Sequence, residues 1–175
     1  TSFMDSVMEM MYDSYSPHVI KPDPRIPEGM LSEEDIEREL FAVLRAQKGL
    51  CVINFYEREM AEAARYIDWA ERTNRICAFE PATAYLIYSF YRRPVHLYIP
   101  DSPRYTGDAS ALPEWFRELV ACCPATGLEQ IRANPGGYLI QNSYPHLLEL
   151  LDLPGEGGAY LHAGGVPIGE FDPAY

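Results

Sequence analysis

Four histidines, His18, His96, His146 and His162, and four cysteines, Cys51, Cys77, Cys122 and Cys123, are the residues best suited to metal or nucleophilic chemistry. None is spaced for it. HxH, HExxH and CxxC, the spacings that bring two ligands together locally, are absent, so no metal is expected. GxSxG is also missing, so no local motif supplies a catalytic residue. A catalytic site would have to be assembled from distant residues, and Cys51, His96, His146 and Glu80 are its candidates. Such a site requires a pocket joining a histidine to a thiol or a carboxylate. Against it stands the simpler reading of cysteines as small core hydrophobes, since Cys51, Cys77 and Cys122 lie among apolar neighbours.

Other chemistry is weaker still. "GEGGAYLHAGG" is glycine-rich, yet it has no lysine for a phosphate and opens no helix, so its glycines read as turn formers and no cofactor is expected. Glu33, Glu34, Asp35, Glu37 and Glu39 sit where acids favour the start of a helix. "PDSPRYTGDAS" carries carboxylates without a neighbouring lysine, the only two being Lys21 and Lys48, which argues against a metal nuclease.

The stretch "PATAYLIYSFYRRPVHLYIP" interleaves tyrosines with Arg92, Arg93 and His96, the ingredients of a stacking platform for nucleic acid. Charge opposes that use. The chain has a net charge of −12, which repels a phosphate backbone. The charge is also uneven. Residues 1–40 hold ten acids and three bases, a balance of −7, and no Lys or Arg follows Arg132. A buried element explains the aromatics more simply, because both its faces are apolar. A strand or hairpin over 82–91 is expected, followed by a strand in "VHLYI"; a helix with Pro81 in its first turn, supported by Ala82 and Ala84, is the alternative.

These groups need a scaffold, and 175 residues with 47% hydrophobic content suffice for one domain with one core. No run reaches the ~18 apolar residues of a membrane span, and no basic start precedes an apolar stretch, so neither membrane nor secretory signal is expected. Unpaired thiols in a domain of this size point to a reducing compartment, the cytoplasm.

Along the chain, Met4, Val7, Met8, Met11, Tyr12 and Tyr15 form one stripe of a helix. Pro17, Pro22, Pro24 and Pro27 then make an extended linker. Residues 1–30 are thus expected to be a helical arm and 31–175 the globular domain. Helices are predicted from Ser32 to Gly49, over "EREMAEAARYIDWAERTN" with Met60, Ala63, Ala64, Ile67 and Ala70 inward, and over "PEWFRELVACC" with Phe116, Leu119, Val120 and Cys123 on one face. "LCVINF", "GYLIQ" and 159–162 read as strands, and "SYPHLLELLDL" as a short helix capped by Ser143. The expected fold is α+β or α/β, a single domain with helices packed on a small mixed sheet, plus the arm.

With no catalytic motif, the expected function is a non-enzymatic acidic module that binds a protein with a basic surface, such as an inhibitor or immunity protein for a basic toxin or nuclease. Its contact residues would be Met4, Met8, Met11 and Tyr12 on the arm, with Asp152, Glu156, Tyr160, Glu170, Phe171 and Asp172 in the base-free C-terminal third. Alternatives are a structural subunit of a virion or secretion machine, with homo-oligomers among its forms, and the small enzyme described above.

Overall fold

The computed structural model describes residues 33–55, 60–100, 105 and 112–162. The expected arm over 1–30 therefore lies outside the described residues. The chain divides into two units, Thr1–Ile36 and Glu37–Tyr175, and the sheet belongs wholly to the second.

Six strands form that sheet: β1 (Cys51–Asn54), β2 (Ile76–Phe79), β3 (His96–Tyr98), β4 (Ala125–Thr126), β5 (Tyr138–Gln141) and β6 (Ala159–His162). Their order is β4-β3-β2-β5-β1-β6, and every pairing is parallel. The fold is α/β, and the sheet is larger than the small mixed one expected and parallel throughout.

The strands are short apolar runs because both sheet faces are covered, as parallel sheets require. Alternate residues enter two separate cores. Cys51, Ile53, Cys77, Phe79, Leu97 and Leu139 face one; Val52, Ala78, Tyr98 and Ile140 face the other. On the first face pack α1 (Glu33–Ala46) from Glu37 onward, α2 (Met60–Arg72), α3 (Pro81–Tyr91) and α4 (Glu114–Cys122). The second is covered by Ile131 of α5 (Leu128–Ala133) and by Leu150 of a 3₁₀ segment, Tyr144–Asp152.

Residues 82–91 are helix, which corrects the expected strand or hairpin. Pro81 occupies the first turn, where its missing N–H costs nothing. Arg92 ends the helix in the left-handed conformation at φ 52°, its N–H donating to the Tyr88 carbonyl at 2.8 Å. Only Thr83, Ala84 and Ile87 are buried beyond the first residue. Phe90 and Tyr91 are exposed, so an apolar sequence does not bury both faces here. "VHLYI" does contain β3, as expected.

Two helix faces also differ from expectation. In α2 the inward residues include Tyr66 and Trp69, while Ala64 is exposed. In this core the rings of Phe55 and Tyr66 are tilted with centroids 5.0 Å apart, and those of Tyr66 and Trp69 meet edge to face at 5.5 Å. Val120 on α4 is exposed, although Phe116, Leu119 and Cys123 are buried as expected.

The connections set the location of any site. From β1 through β4 the chain moves towards one edge, with α2, α3 and α4 on the first face. It then returns across the second face to insert β5 between β2 and β1, and continues to β6 at the far edge. The connections leaving the neighbours β2 and β5 therefore diverge. A crevice at the carboxyl ends of two such strands is where doubly wound sheets bind ligands.

Candidate functional site at the carboxyl ends of β2 and β5

Glu80 follows the last residue of β2, and Ser143 stands two residues beyond the end of β5. The register Ala78↔Ile140 brings them side by side. A 3₁₀ segment begins at Tyr144, with Ser143 as its cap residue. Side chains three residues apart eclipse in that geometry, so Ser143 and His146 face the same way, towards Glu80.

The Glu80 carboxylate is the hub of this cluster. Its Oε1 accepts the Ser143 N–H at 2.7 Å and its Oε2 the Ser143 hydroxyl at 2.5 Å. His146 Nδ1 lies 2.9 Å from Oε2 and 3.3 Å from Ser143 Oγ. The carboxylate is 2% exposed and the imidazole 20%. Buried carboxylates are stabilised by this kind of charge-assisted bonding. A carboxylate only accepts, so the His146 nitrogen that faces it, Nδ1, is the donor of this pair. Ser143 makes no side-chain cap bond to its own helix, because its hydroxyl is committed to Glu80.

Amide side chains surround the hub. Gln141 Oε1 accepts the Glu80 N–H at 3.2 Å. Asn54, the last residue of β1, donates Nδ2 to the Asn142 carbonyl at 2.8 Å. Asn142 in turn donates Nδ2 to the His146 carbonyl at 2.9 Å. The opposite ends of these groups have no partner: Asn54 Oδ1, Gln141 Nε2 and Asn142 Oδ1 are buried without a hydrogen bond, as is Thr83 Oγ1 on the first turn of α3. A buried polar atom left unpaired costs about 1–3 kcal/mol, and such atoms are few in folded proteins. Gln141 bonds the Glu80 N–H, Asn142 bonds the His146 carbonyl, and Thr83 lies three residues beyond Glu80, so these groups lie close to the cluster.

The surroundings are acidic. Tyr98 donates its hydroxyl to Glu149 Oε2 at 3.3 Å. Burial, together with the charges of Glu149, Glu80 and Asp152, holds its phenol well above the usual range. No Lys or Arg among the described residues is bonded to Glu80 or Ser143. Nor, among them, does any group of three His, Cys, Asp or Glu side chains gather as a metal ion would need. An apolar depression of about 440 Å³ lies elsewhere, between Ile99, Leu112, Phe116 and Val120. It contains no member of the cluster and little that could react.

Of the four residues considered for an assembled site, Glu80 and His146 meet and Cys51 and His96 do not. Cys51 opens β1 at the amino end, and burial pushes its thiol up. His96 opens β3, where burial lowers its imidazole. Asp152, Glu156 and Tyr160 are exposed, while Met4, Met8, Met11, Tyr12, Glu170, Phe171 and Asp172 lie outside the described residues. Ser143, Asn54, Thr83, Gln141 and Asn142 were not identified from sequence as site residues. Their signal is the polar residue that ends each apolar run, in "CVIN" and "YLIQNS".

No known family model matches this sequence, and no curated protein does. The fold is similar to that of a solved structure, a protein of unknown function from Enterococcus faecalis V583. The two share 24% identity with a TM-score of 0.53, over 89% of this chain and 32% of that one. The chain thus spans about a third of that protein's length, and the likeness concerns the fold alone.

Proposed function

We propose that this α/β domain acts on a small polar molecule at the carboxyl ends of β2 and β5, with His146 as general base and Glu80 as its positioning carboxylate. The observation that carries this reading is the Glu80–Ser143–His146 cluster at 2.5–2.9 Å from carboxylate to hydroxyl and imidazole. A carboxylate on Nδ1 orients the ring and stabilises the imidazolium formed when Nε2 takes a proton. The reaction class that follows is hydrolysis. Water gives its proton to Nε2 as its oxygen attacks the substrate, and the imidazolium then returns that proton to the leaving group. Ser143 is a positioning residue here, since its hydroxyl already donates to Glu80.

A thermal-shift screen of the full chain with neutral, cationic and anionic metabolites tests the reading, run beside Glu80→Gln and His146→Phe. At least one compound should raise the melting temperature of the wild type by several degrees and of neither variant, with far-UV circular dichroism unchanged. If no compound shifts the wild type, or all shift the variants equally, the reading fails.

A second reading is the acidic protein-binding module expected from sequence. Leu148 and Leu151, 81% and 85% exposed, share the 3₁₀ segment with the exposed Asp152, and Glu156 and Tyr160 follow. Apolar side chains beside acids suit a basic partner. Four free cysteines support a reducing compartment for either role. Capture of a basic protein by the wild type that survives Leu148→Asp with Leu151→Asp would exclude this face.

A further inference from the structure

The acidic face of the second reading calls for a basic surface, and this chain carries one of its own. Resting on that reading, we infer that the partner is a second copy of the chain, which presents the end of its α3.

Two exposed patches of opposite charge lead there. At the end of α3, Phe90 and Tyr91 are 70% and 57% exposed, and Arg92 and Arg93 follow them on the surface. Arg92 forms no ion pair among the described residues, and Arg93 reaches Glu71 at 3.7 Å. Both members of that pair are exposed, and such pairs are weak enough to exchange partners. Exposed aromatic rings beside arginine are the composition that protein contacts favour.

The second patch is on the 3₁₀ segment. Leu148 and Leu151, both strongly exposed, are three residues apart and lie on one side of it. Asp152 follows directly, and Glu156 stands in the turn before β6, both exposed. Neither carboxylate forms an ion pair among the described residues. Arg132 bonds Glu129 and the carbonyl of Asp152, leaving its carboxylate to face outward.

The two patches cannot meet within one chain. Ala84 and Ile87 of α3 pack on the first sheet face, and Leu150 and Leu153 of the other region on the second. Between copies the patches match, rings against leucines and guanidinium groups against carboxylates. The repulsion of two chains of charge −12 is screened beyond about 8 Å at physiological salt, whereas the patches act at contact. Such a contact joins unlike surfaces, so each added copy leaves one patch of each kind open. Assembly should therefore grow with concentration instead of stopping at a dimer.

Sedimentation velocity of the full chain, up to about 1 mM for so small a contact, tests this with two charge-reversed variants. One is Arg92→Glu with Arg93→Glu, the other Asp152→Lys with Glu156→Lys. All four positions are exposed, so circular dichroism should not change. Each variant alone should associate at least about tenfold more weakly than the wild type, because like charges then meet. Mixed in equal amounts, they should associate to within about threefold of the wild type, since each supplies the charge the other lacks. A monomeric wild type, or either variant associating as the wild type does, would overturn the second copy as partner. The acidic face would then still stand or fall by its capture of a foreign basic protein. Loss in both variants without recovery on mixing would show that the patches do not meet each other, and would overturn the inference too. Association unchanged in Leu148→Asp with Leu151→Asp would remove the face and the inference together.

Discussion

At the amino ends of β1, β2 and β5 a buried arginine meets three carbonyls. At the carboxyl ends of the same sheet a buried glutamate sits among polar atoms without partners. Arg75, 7% exposed, donates to the carbonyls of Gln47 at 2.7 Å, Gly49 at 2.8 Å and Tyr138 at 3.1 Å. Its planar fork suits several acceptors at once. Backbones close up around it: a Cβ at Gly136 would overlap the Lys48 carbonyl, and one at Gly158 the Leu50 carbonyl. Among the described residues, none at that end keeps a buried side-chain polar atom unpaired. At the other end the Glu80 carboxylate is satisfied, yet Asn54, Thr83, Gln141 and Asn142 each keep a buried polar atom unpaired. One end of the sheet is finished for stability, and the other holds polarity in reserve.

The largest effect expected from breaking this contrast is at the arginine. Arg75→Ala leaves three carbonyls without a charged donor and should cost about 3–5 kcal/mol of unfolding free energy, measured by urea denaturation. A loss below about 1 kcal/mol would mean that water replaces the arginine and that the amino end is not sealed.

Next comes the close packing at that end. Gly158→Ala forces a methyl into the Leu50 carbonyl and should cost about 2–3 kcal/mol. The same assay reads it, and a neutral result would show that the β6 turn shifts freely.

At the carboxyl end the sign should reverse. Thr83→Val keeps the side-chain shape and removes a buried hydroxyl with no partner, so it should raise stability by about 0.5–1 kcal/mol. It should also weaken any ligand that protects the Asn142 amide. A destabilised Thr83→Val would place the hydroxyl among the stabilising groups and blur the difference between the ends.

The smallest effect is a pH dependence at His96. Burial holds its imidazole below the ordinary 6.5, so the unfolded chain binds the proton more tightly. The His96 contribution to stability is therefore whole above about 6.5 and is lost as pH falls below it. Between about pH 7.5 and 5.5, His96→Gln should lose less stability than the wild type. Equal losses would assign the acid sensitivity to other groups.

How much of this was legible depends on the range of the interaction. "LCVINF" and "GYLIQ" announce strands because a short apolar run is a local property, and Asn74 ends a helix by local conformation, at φ 55°. The segment 81–91 misleads for a physical reason. Its apolar residues surround the helix without a period, so neither a helical nor a strand face stands out, and Pro81 with Ala82 and Ala84 is the better guide. In α2 the sheet takes Tyr66 and Trp69 instead of Ala64, since large rings fill the space over the strands. For the site, Glu80 and His146 were visible as residue types and nothing more. The bonds between Glu80 and Ser143 span 63 residues, and they exist because β5 inserts beside β2. Strand order leaves no local trace in sequence.

The insertion of β5 also bears on how the chain reaches this fold. β1 forms near the start of the sheet, yet both its neighbours, β5 and β6, come from residues 138–162. On a ribosome, β1 would wait through some 80 residues of synthesis with both edges open. β2 and β3, by contrast, pair within about 20 residues of each other. Folding should thus begin on the β2–β3 side and close late around β1, and a chaperone would meet the apolar CVIN strand first.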